Sequence, residues 1–209
     1  TSLMPNKNYY LIPYIIVFLL ALLTWSVIEH GDAVLFFNAN RNPVFDFFFK
    51  YWTHLGDGVF VGVLFVGLLI WKWRLAMIFL ALGLAQLVFS QGLKRLVFQD
   101  IPRPIRYFDD ITDLKLIEGV NHHGSFSFPS GHTITAFAVA TFFAIVFRKS
   151  RSLSMTFLAA AILVAMSRIY LLQHFLRDVL AGSLIGVVIA IGVYLLFKKY
   201  VFKKSPLEQ

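Results

Sequence analysis

Six long apolar runs constrain this chain more than any other feature: about Tyr9–Ile28, Val59–Trp71, Leu75–Leu93, Thr133–Phe147, Leu153–Met166 and Val179–Phe197. Runs of this length approach what a helix needs to cross the hydrocarbon core of a bilayer. The second is short by itself. It lengthens backwards through Phe45–Leu55, where Val44, Phe45, Phe47, Phe48, Tyr51, Trp52 and Leu55 make an aromatic-rich helical stripe suited to lipid and helix packing. Pro13 falls inside the first run, where it either kinks the helix or is absorbed by its neighbours. The expected fold class is therefore all-α: a polytopic membrane protein, one domain over 1-209. Its six transmembrane helices are expected at about 9-28, 45-71, 75-93, 130-147, 153-168 and 177-197.

Composition agrees, since 58% hydrophobic and 14% charged residues do not suit an ordinary soluble domain. A net charge of +8 raises nucleic acid as a partner, but the bases sit in short clusters between apolar runs, as cytoplasmic loops do. No nucleic-acid partner is expected. The absence of cysteine excludes disulfides, zinc-thiolate sites and thiol nucleophiles. The first run has no small-residue cleavage site after it and reads as a retained helix. With both termini cytoplasmic, the inner side carries Lys7, Lys72, Arg74, Arg148, Lys149, Arg151, Lys198, Lys199, Lys203 and Lys204, with Glu208 its only acid. The remaining bases and acids then face outside, several of them within a polar constellation that gives charge a reason to stay there.

The one long polar stretch runs from Lys94 to Phe128, between the third and fourth runs. Loops of that length tend to carry function. It holds Asp109, Asp110, Asp113, Asn121, His122, His123 and Gly124, and its Phe108, Ile111, Leu114, Leu116 and Ile117 suggest a short amphipathic piece on the membrane surface. Three polar segments fall at outer ends of runs. They are Lys94-Arg95 with Pro102-Arg103-Pro104, then Pro129-Ser130-Gly131-His132, then Ser167-Arg168 with His174 and Asp178. Fixed cations, an open helix N-terminus at Ser130-Gly131 and two imidazoles suit a tetrahedral oxyanion such as phosphate. If a helix begins near His174, Asp178 lies one turn on and can bond one imidazole nitrogen, leaving the other to attack. His132 then protonates the leaving oxygen and afterwards takes a proton from water, giving two displacements through a phosphohistidine.

These residues resemble the type 2 phosphatidic acid phosphatase (PAP2) family, which shares its core with vanadium haloperoxidases. The family pattern is Lys-x6-Arg-Pro, then Pro-Ser-Gly-His, then Ser-Arg-x5-His-x3-Asp, and the chain matches the second and third motifs fully. The resemblance implies a membrane lipid phosphatase with His174 as nucleophile, Asp178 as its orienting partner and His132 as acid/base. It implies that Arg103, Ser130, Gly131 and Arg168 hold the phosphoryl oxygens. In the first motif eight residues, not six, separate Lys94 from Arg103. Lys94 is the only lysine there, and Arg95, one residue closer, is the alternative. The family needs no metal or other cofactor, and no ligand spacing here calls for one.

Expected substrates are undecaprenyl diphosphate, phosphatidylglycerol phosphate, phosphatidic acid or lipid A, and the membrane bilayer is the other partner. A bacterial inner-membrane enzyme acting on an envelope lipid from the outer face is expected. The chain is compact, lacks N-x-S/T sequons in its outer segments and shows no added soluble domain. A phosphotransferase of the same family and a non-catalytic lipid-phosphate binding or transport protein are the alternatives. The oligomeric state is not legible. Elsewhere, His30 and His54 read as interfacial or packing residues, His122 and His123 as solvated loop, and Asp57 and Gln86 as helix glue. Gly56, Gly58, Gly62, Gly67, Gly182, Gly186 and Gly192 read as close helix contacts.

Overall fold

The computed structural model describes residues 9–108 and 114–201, the last three by backbone alone. Helices are the only regular elements among them: α1 Leu11–Val27, α2 Asp32–Ala39, α3 Pro43–Trp52, a 3₁₀ turn Thr53–Gly56, α4 Gly58–Gly92, a π turn Leu93–Val97, α5 Pro104–Tyr107, α6 Gly131–Val146, α7 Arg151–Tyr170 and α8 Leu176–Val201. Three helical stretches are long and apolar enough to cross a membrane: Gly58–Val97, Arg151–Tyr170 and Leu176–Lys198. A fourth arises if α1 and α2, bent by 99° at their junction, count as one span. Large apolar side chains point outwards along these helices, as at Leu20, Ile70 and Leu196, which are 60%, 84% and 72% exposed. Lipid is the medium such a surface requires.

Local chemistry sets the helix boundaries. Asn42 caps α3 by accepting from the Phe45 N–H at 3.0 Å, with Pro43 in the first turn. The side chain of Asp57 caps α4 through the Phe60 N–H at 3.0 Å. That cap ends the expected backward extension. The aromatic stripe is a separate helix, α3, so the second apolar helix starts at Gly58 rather than 45. Pro13 stands in the first turn of α1, where amide donors have no partner in any case, and it kinks nothing.

α4 has 35 residues, about 52 Å of helix at 1.5 Å per residue, too long for one crossing. Its backbone breaks at Lys72, with φ −152° and ψ 88°. The neighbours show what the break does. A Cβ on Gly56 would meet the His132 carbonyl oxygen at 2.8 Å, the Trp71 ring stacks on Phe147 at 5.8 Å, and a Cβ on Gly131 would lie 3.4 Å from Ser90 Oγ. The first limb thus runs along α6 from its start to its end, and the second returns.

α6 is the central helix, buried on nearly every side, and α8 packs along it most extensively. Gly182 and Gly186 make the closeness possible. A Cβ at Gly182 would sit 2.8 Å from the Ser130 carbonyl oxygen, and one at Gly186 would overlap the Ile134 carbonyl. Gly56 is equally tight, whereas Gly58, Gly62, Gly67 and Gly192 have nothing within 4 Å and are not contact glycines. At the end of the bundle bearing the start of α6, the long loop plugs inwards instead of lying on the membrane. Phe108 is buried with Val34, Ile169 and Phe175, Leu114 packs against that cluster, and Ile117 packs against Phe49, Tyr170 and Leu171. No helix forms over 114–120, and Leu116 alone of these side chains is exposed. Ile111, Asp109, Asp110 and Asp113 lie outside the described residues.

Candidate active site

Three helix ends meet under the long loop. α6 begins at Gly131 with Ser130 before it, and α8 begins at Leu176. The Ser130 N–H donates to the Asp178 carbonyl at 3.1 Å, which ties the two starts together. Ser130 is fully buried, and its hydroxyl accepts from Thr133 Oγ1 at 2.9 Å. Its amide is therefore not open to an anion, contrary to the expectation from sequence. The amides of Gly131 and His132, in the first turn of α6, have no partner within the helix.

His174 lies just before α8, so the helix begins two residues later than the sequence suggested. Asp178 falls in the first turn and reaches back: its Oδ2 accepts from the Phe175 N–H at 2.9 Å and from Ser127 Oγ at 2.5 Å. His174 Nδ1 is 3.7 Å from the same oxygen, an ion-pair distance and not a hydrogen bond, and it is buried with no hydrogen-bond partner among the described residues. The expected orienting bond is thus replaced by a close charge. Burial pushes the His174 imidazole pKa down to about 3, which the Asp178 carboxylate only partly opposes.

The imidazoles and cations open on one cavity of 490 Å³, lined by Lys94, Arg103, Gly131, His132, Arg168 and His174 together with Lys50, Thr53, His54, Asn121, His123 and Gln173. Among the described residues, no Asp or Glu lines it. Arg168 is 7% exposed and donates from Nη1 to Thr53 Oγ1 at 2.6 Å, while its Nε is buried with no hydrogen-bond partner among the described residues. Arg103 donates from Nε to the Ser125 carbonyl at 2.9 Å and from Nη1 to Gln173 Oε1 at 2.8 Å. Burial holds the Arg103 guanidinium below its ordinary pKa. Lys94 lies in the π turn and lines the cavity, whereas Arg95 is exposed and does not. A π turn holds more residues than an α turn, which takes up part of the extra spacing in the first motif.

Of the expected site residues, the cavity gathers His174, His132, Lys94, Arg103, Gly131 and Arg168, while Ser130 and Asp178 support it from behind. Thr53, Gln173 and Ser127 were not legible as site residues. Thr53 sits in a stretch that reads as span, 115 residues from Arg168, and nothing in the sequence pairs the two. His54 and His123 are exposed, as an interfacial and a solvated residue would be, and both also line the cavity, with His54 Nδ1 2.8 Å from Asp57 Oδ2. His30 packs as expected, 4.1 Å from the Phe175 ring. His122 is half-buried beside the cavity-lining residues and burial lowers its pKa.

A cavity lined by Lys94, Arg103 and Arg168 and by the imidazoles of His132, His174, His54 and His123 suits the transfer of a phosphoryl group. The PAP2 superfamily model matches residues 73–202, and the chain belongs to that superfamily. It is 28% identical to a lipid A 4'-phosphatase of Bacteroides thetaiotaomicron over 158 residues, covering 73% of this chain and 70% of that protein. A segment of 76 residues is 40% identical to phosphatidylglycerophosphatase B of Bacillus subtilis, covering 32% of this chain and 37% of that one. The crystal structure of Aquifex aeolicus LpxE superposes with a TM-score of 0.68 at 27% identity, covering 79% of this chain and 94% of that one. A Bacillus subtilis transmembrane PAP2-type phosphatidylglycerolphosphate phosphatase shares the fold, with a TM-score of 0.67 at 23% identity over 94% of this chain and 98% of that one. The protein is an integral membrane lipid phosphatase of PAP2 type.

Proposed function

We propose that the protein removes the terminal phosphate of a lipid phosphate or diphosphate in two displacements through a phosphohistidine. The supporting observation is the buried His174 ring in a cavity whose other walls are Lys94, Arg103, Arg168 and His132. In the first step the free Nε2 lone pair of His174 attacks phosphorus, the bond to the lipid oxygen breaks, and protonated His132 gives that oxygen its proton. The ring now carries positive charge, offset by the Asp178 carboxylate at 3.7 Å. In the second step water attacks the phosphorus, His132 takes its proton, the P–N bond breaks, and phosphate leaves. Arg103, Arg168 and Lys94, with the Gly131 and His132 amides, hold the equatorial oxygens through both steps. Ser130 acts by fixing the turn and Asp178 by fixing the start of α8. No step in this scheme calls on a metal.

The two limbs of α4 count as two crossings in this reading, giving six spans with α1, α6, α7 and α8. The site lies at one end of the bundle, and Lys72, Arg74, Arg148, Lys149, Arg151 and Lys198 cluster towards the other, near the Trp71–Phe147 stack. That asymmetry supports a cytoplasmic side for the basic end, with the site facing outward from a bacterial inner membrane. Phosphate release from purified protein on a panel of lipid phosphates tests the activity. His174→Ala is expected to abolish turnover in a protein that still folds, and acid-labile phosphate on the wild-type protein during turnover is expected to disappear with it. Near-normal release by the variant removes His174 as nucleophile, and phosphorylated lipid in place of free phosphate marks a transferase.

A further inference from the structure

The cavity is several times larger than one phosphate, and its basic side chains stand at two depths. His174 and Arg168 are buried at its floor, whereas His54 and His123 are exposed at its mouth and Lys50 is half-buried beside them. None of these three mouth residues belongs to the motifs. Two of them are held in place. Lys50 Nζ donates to the Glu118 carbonyl at 2.7 Å, and Gly119, whose φ is +73°, leaves room for it, because a Cβ there would lie 2.8 Å from the amine. An ammonium has three protons, so the carbonyl leaves others for a ligand. The His54 Nδ1 is 2.8 Å from Asp57, which itself caps α4, and this fixes the position of the ring.

We infer that Lys50, His54 and His123 form an outer subsite that takes a second phosphoryl group of the substrate while the first lies against His174. The inference rests on the lipid phosphatase reading above and narrows its substrate class. Lipid diphosphates, phosphatidylglycerol phosphate and doubly phosphorylated lipid A all carry two phosphoryl groups; phosphatidic acid carries one. The membrane would hold the tails, and the mouth would hold the group that is not removed.

Phosphate release is measured on phosphatidic acid, diacylglycerol diphosphate, phosphatidylglycerol phosphate and doubly phosphorylated lipid A. The first two share their tails, and the last three separate an adjacent second phosphate from one across a glycerol or a disaccharide. The wild type is expected to favour at least one two-phosphate lipid over phosphatidic acid by about tenfold in kcat/KM, through KM. Lys50→Met is expected to lower that ratio by about tenfold, and Lys50→Arg to restore it. A ratio unchanged by Lys50→Met, or a wild type that prefers phosphatidic acid, overturns the subsite while leaving the phosphatase reading intact. Failure to hydrolyse any of the four lipids counts against that reading instead. Binding to His174→Ala then judges the subsite without turnover: diacylglycerol diphosphate in detergent micelles is expected to bind more tightly than phosphatidic acid, and equal binding overturns it.

Discussion

Arg168 depends on a hydroxyl from a distant turn. Its guanidinium is almost fully buried, and among the described residues Thr53 Oγ1 is its one hydrogen-bond partner, at 2.6 Å. The bond holds the fork so that its remaining donors face the cavity, and a bond to a charged group is worth about 1.5–3 kcal/mol. Thr53→Val keeps the shape and removes the acceptor. It is expected to lower kcat/KM for phosphate release by roughly ten- to hundredfold, with Thr53→Ser near wild type. A Thr53→Val enzyme within twofold of wild type would show that Arg168 needs no such support. His174 makes a second prediction, on stability. Its pKa is lowered to about 3 in the fold by burial, below the ordinary imidazole value, so the unfolded chain binds a proton that the folded protein excludes. Its contribution is present above the unfolded pKa and is lost as pH falls towards the folded one. The melting temperature in detergent is expected to drop between about pH 7 and pH 5 by more in the wild type than in His174→Gln, whose side chain does not titrate. Equal drops would place the acid sensitivity elsewhere.

At the scale of elements, the crossing of α6 and α8 sets the site, because α8 carries Asp178 and approaches the Ser130 turn only where it lacks side chains. Gly186→Ala puts a methyl group against the Ile134 carbonyl and is expected to destabilise the protein by about 1–3 kcal/mol, read as a lower melting temperature. Gly192→Ala, in open space, is expected to be neutral or slightly stabilising. Both substitutions sit on one helix, so comparing them separates crowding from helix propensity. The contrast also shows what a sequence conveys about a bundle. The seven glycines that read as helix contacts all occur in or beside apolar runs, yet of these seven only Gly56, Gly182 and Gly186 face a neighbour, since composition does not reveal which way a helix is turned. The same limit applies to Phe108, Leu114 and Ile117. An amphipathic pattern says that a face is covered, and protein covers it here where lipid was expected. Motif residues were legible because their chemistry is rare in apolar surroundings. Thr53 and Gln173 were not, because an uncharged polar side chain gains its role only from the arginine it meets. Lys94 and Arg95 stand side by side in sequence, and only the wider turn at Leu93–Val97 decides which one enters the cavity.

Across the whole molecule, charge and chemistry separate along the helix axes. The start of α6 carries the cavity, and the opposite end carries the break at Lys72 and the basic segment Arg148–Arg151. A bilayer distinguishes such ends, because bases on a cytoplasmic side oppose translocation, whereas at the other end Lys94, Arg103 and Arg168 line the cavity and Arg41 and Arg106 are paired with Asp46 and Asp100. The chain has no cysteine, so single introduced thiols report orientation without background. Leu116 is exposed in the loop beside the site, and Lys149 is exposed between α6 and α7. In intact cells a membrane-impermeant maleimide is expected to label Leu116→Cys and to reach Lys149→Cys only after the membrane is opened. The reverse pattern would turn the molecule over and place the phosphatase site in the cytoplasm, and labelling of both in intact cells would mean that α6 does not cross.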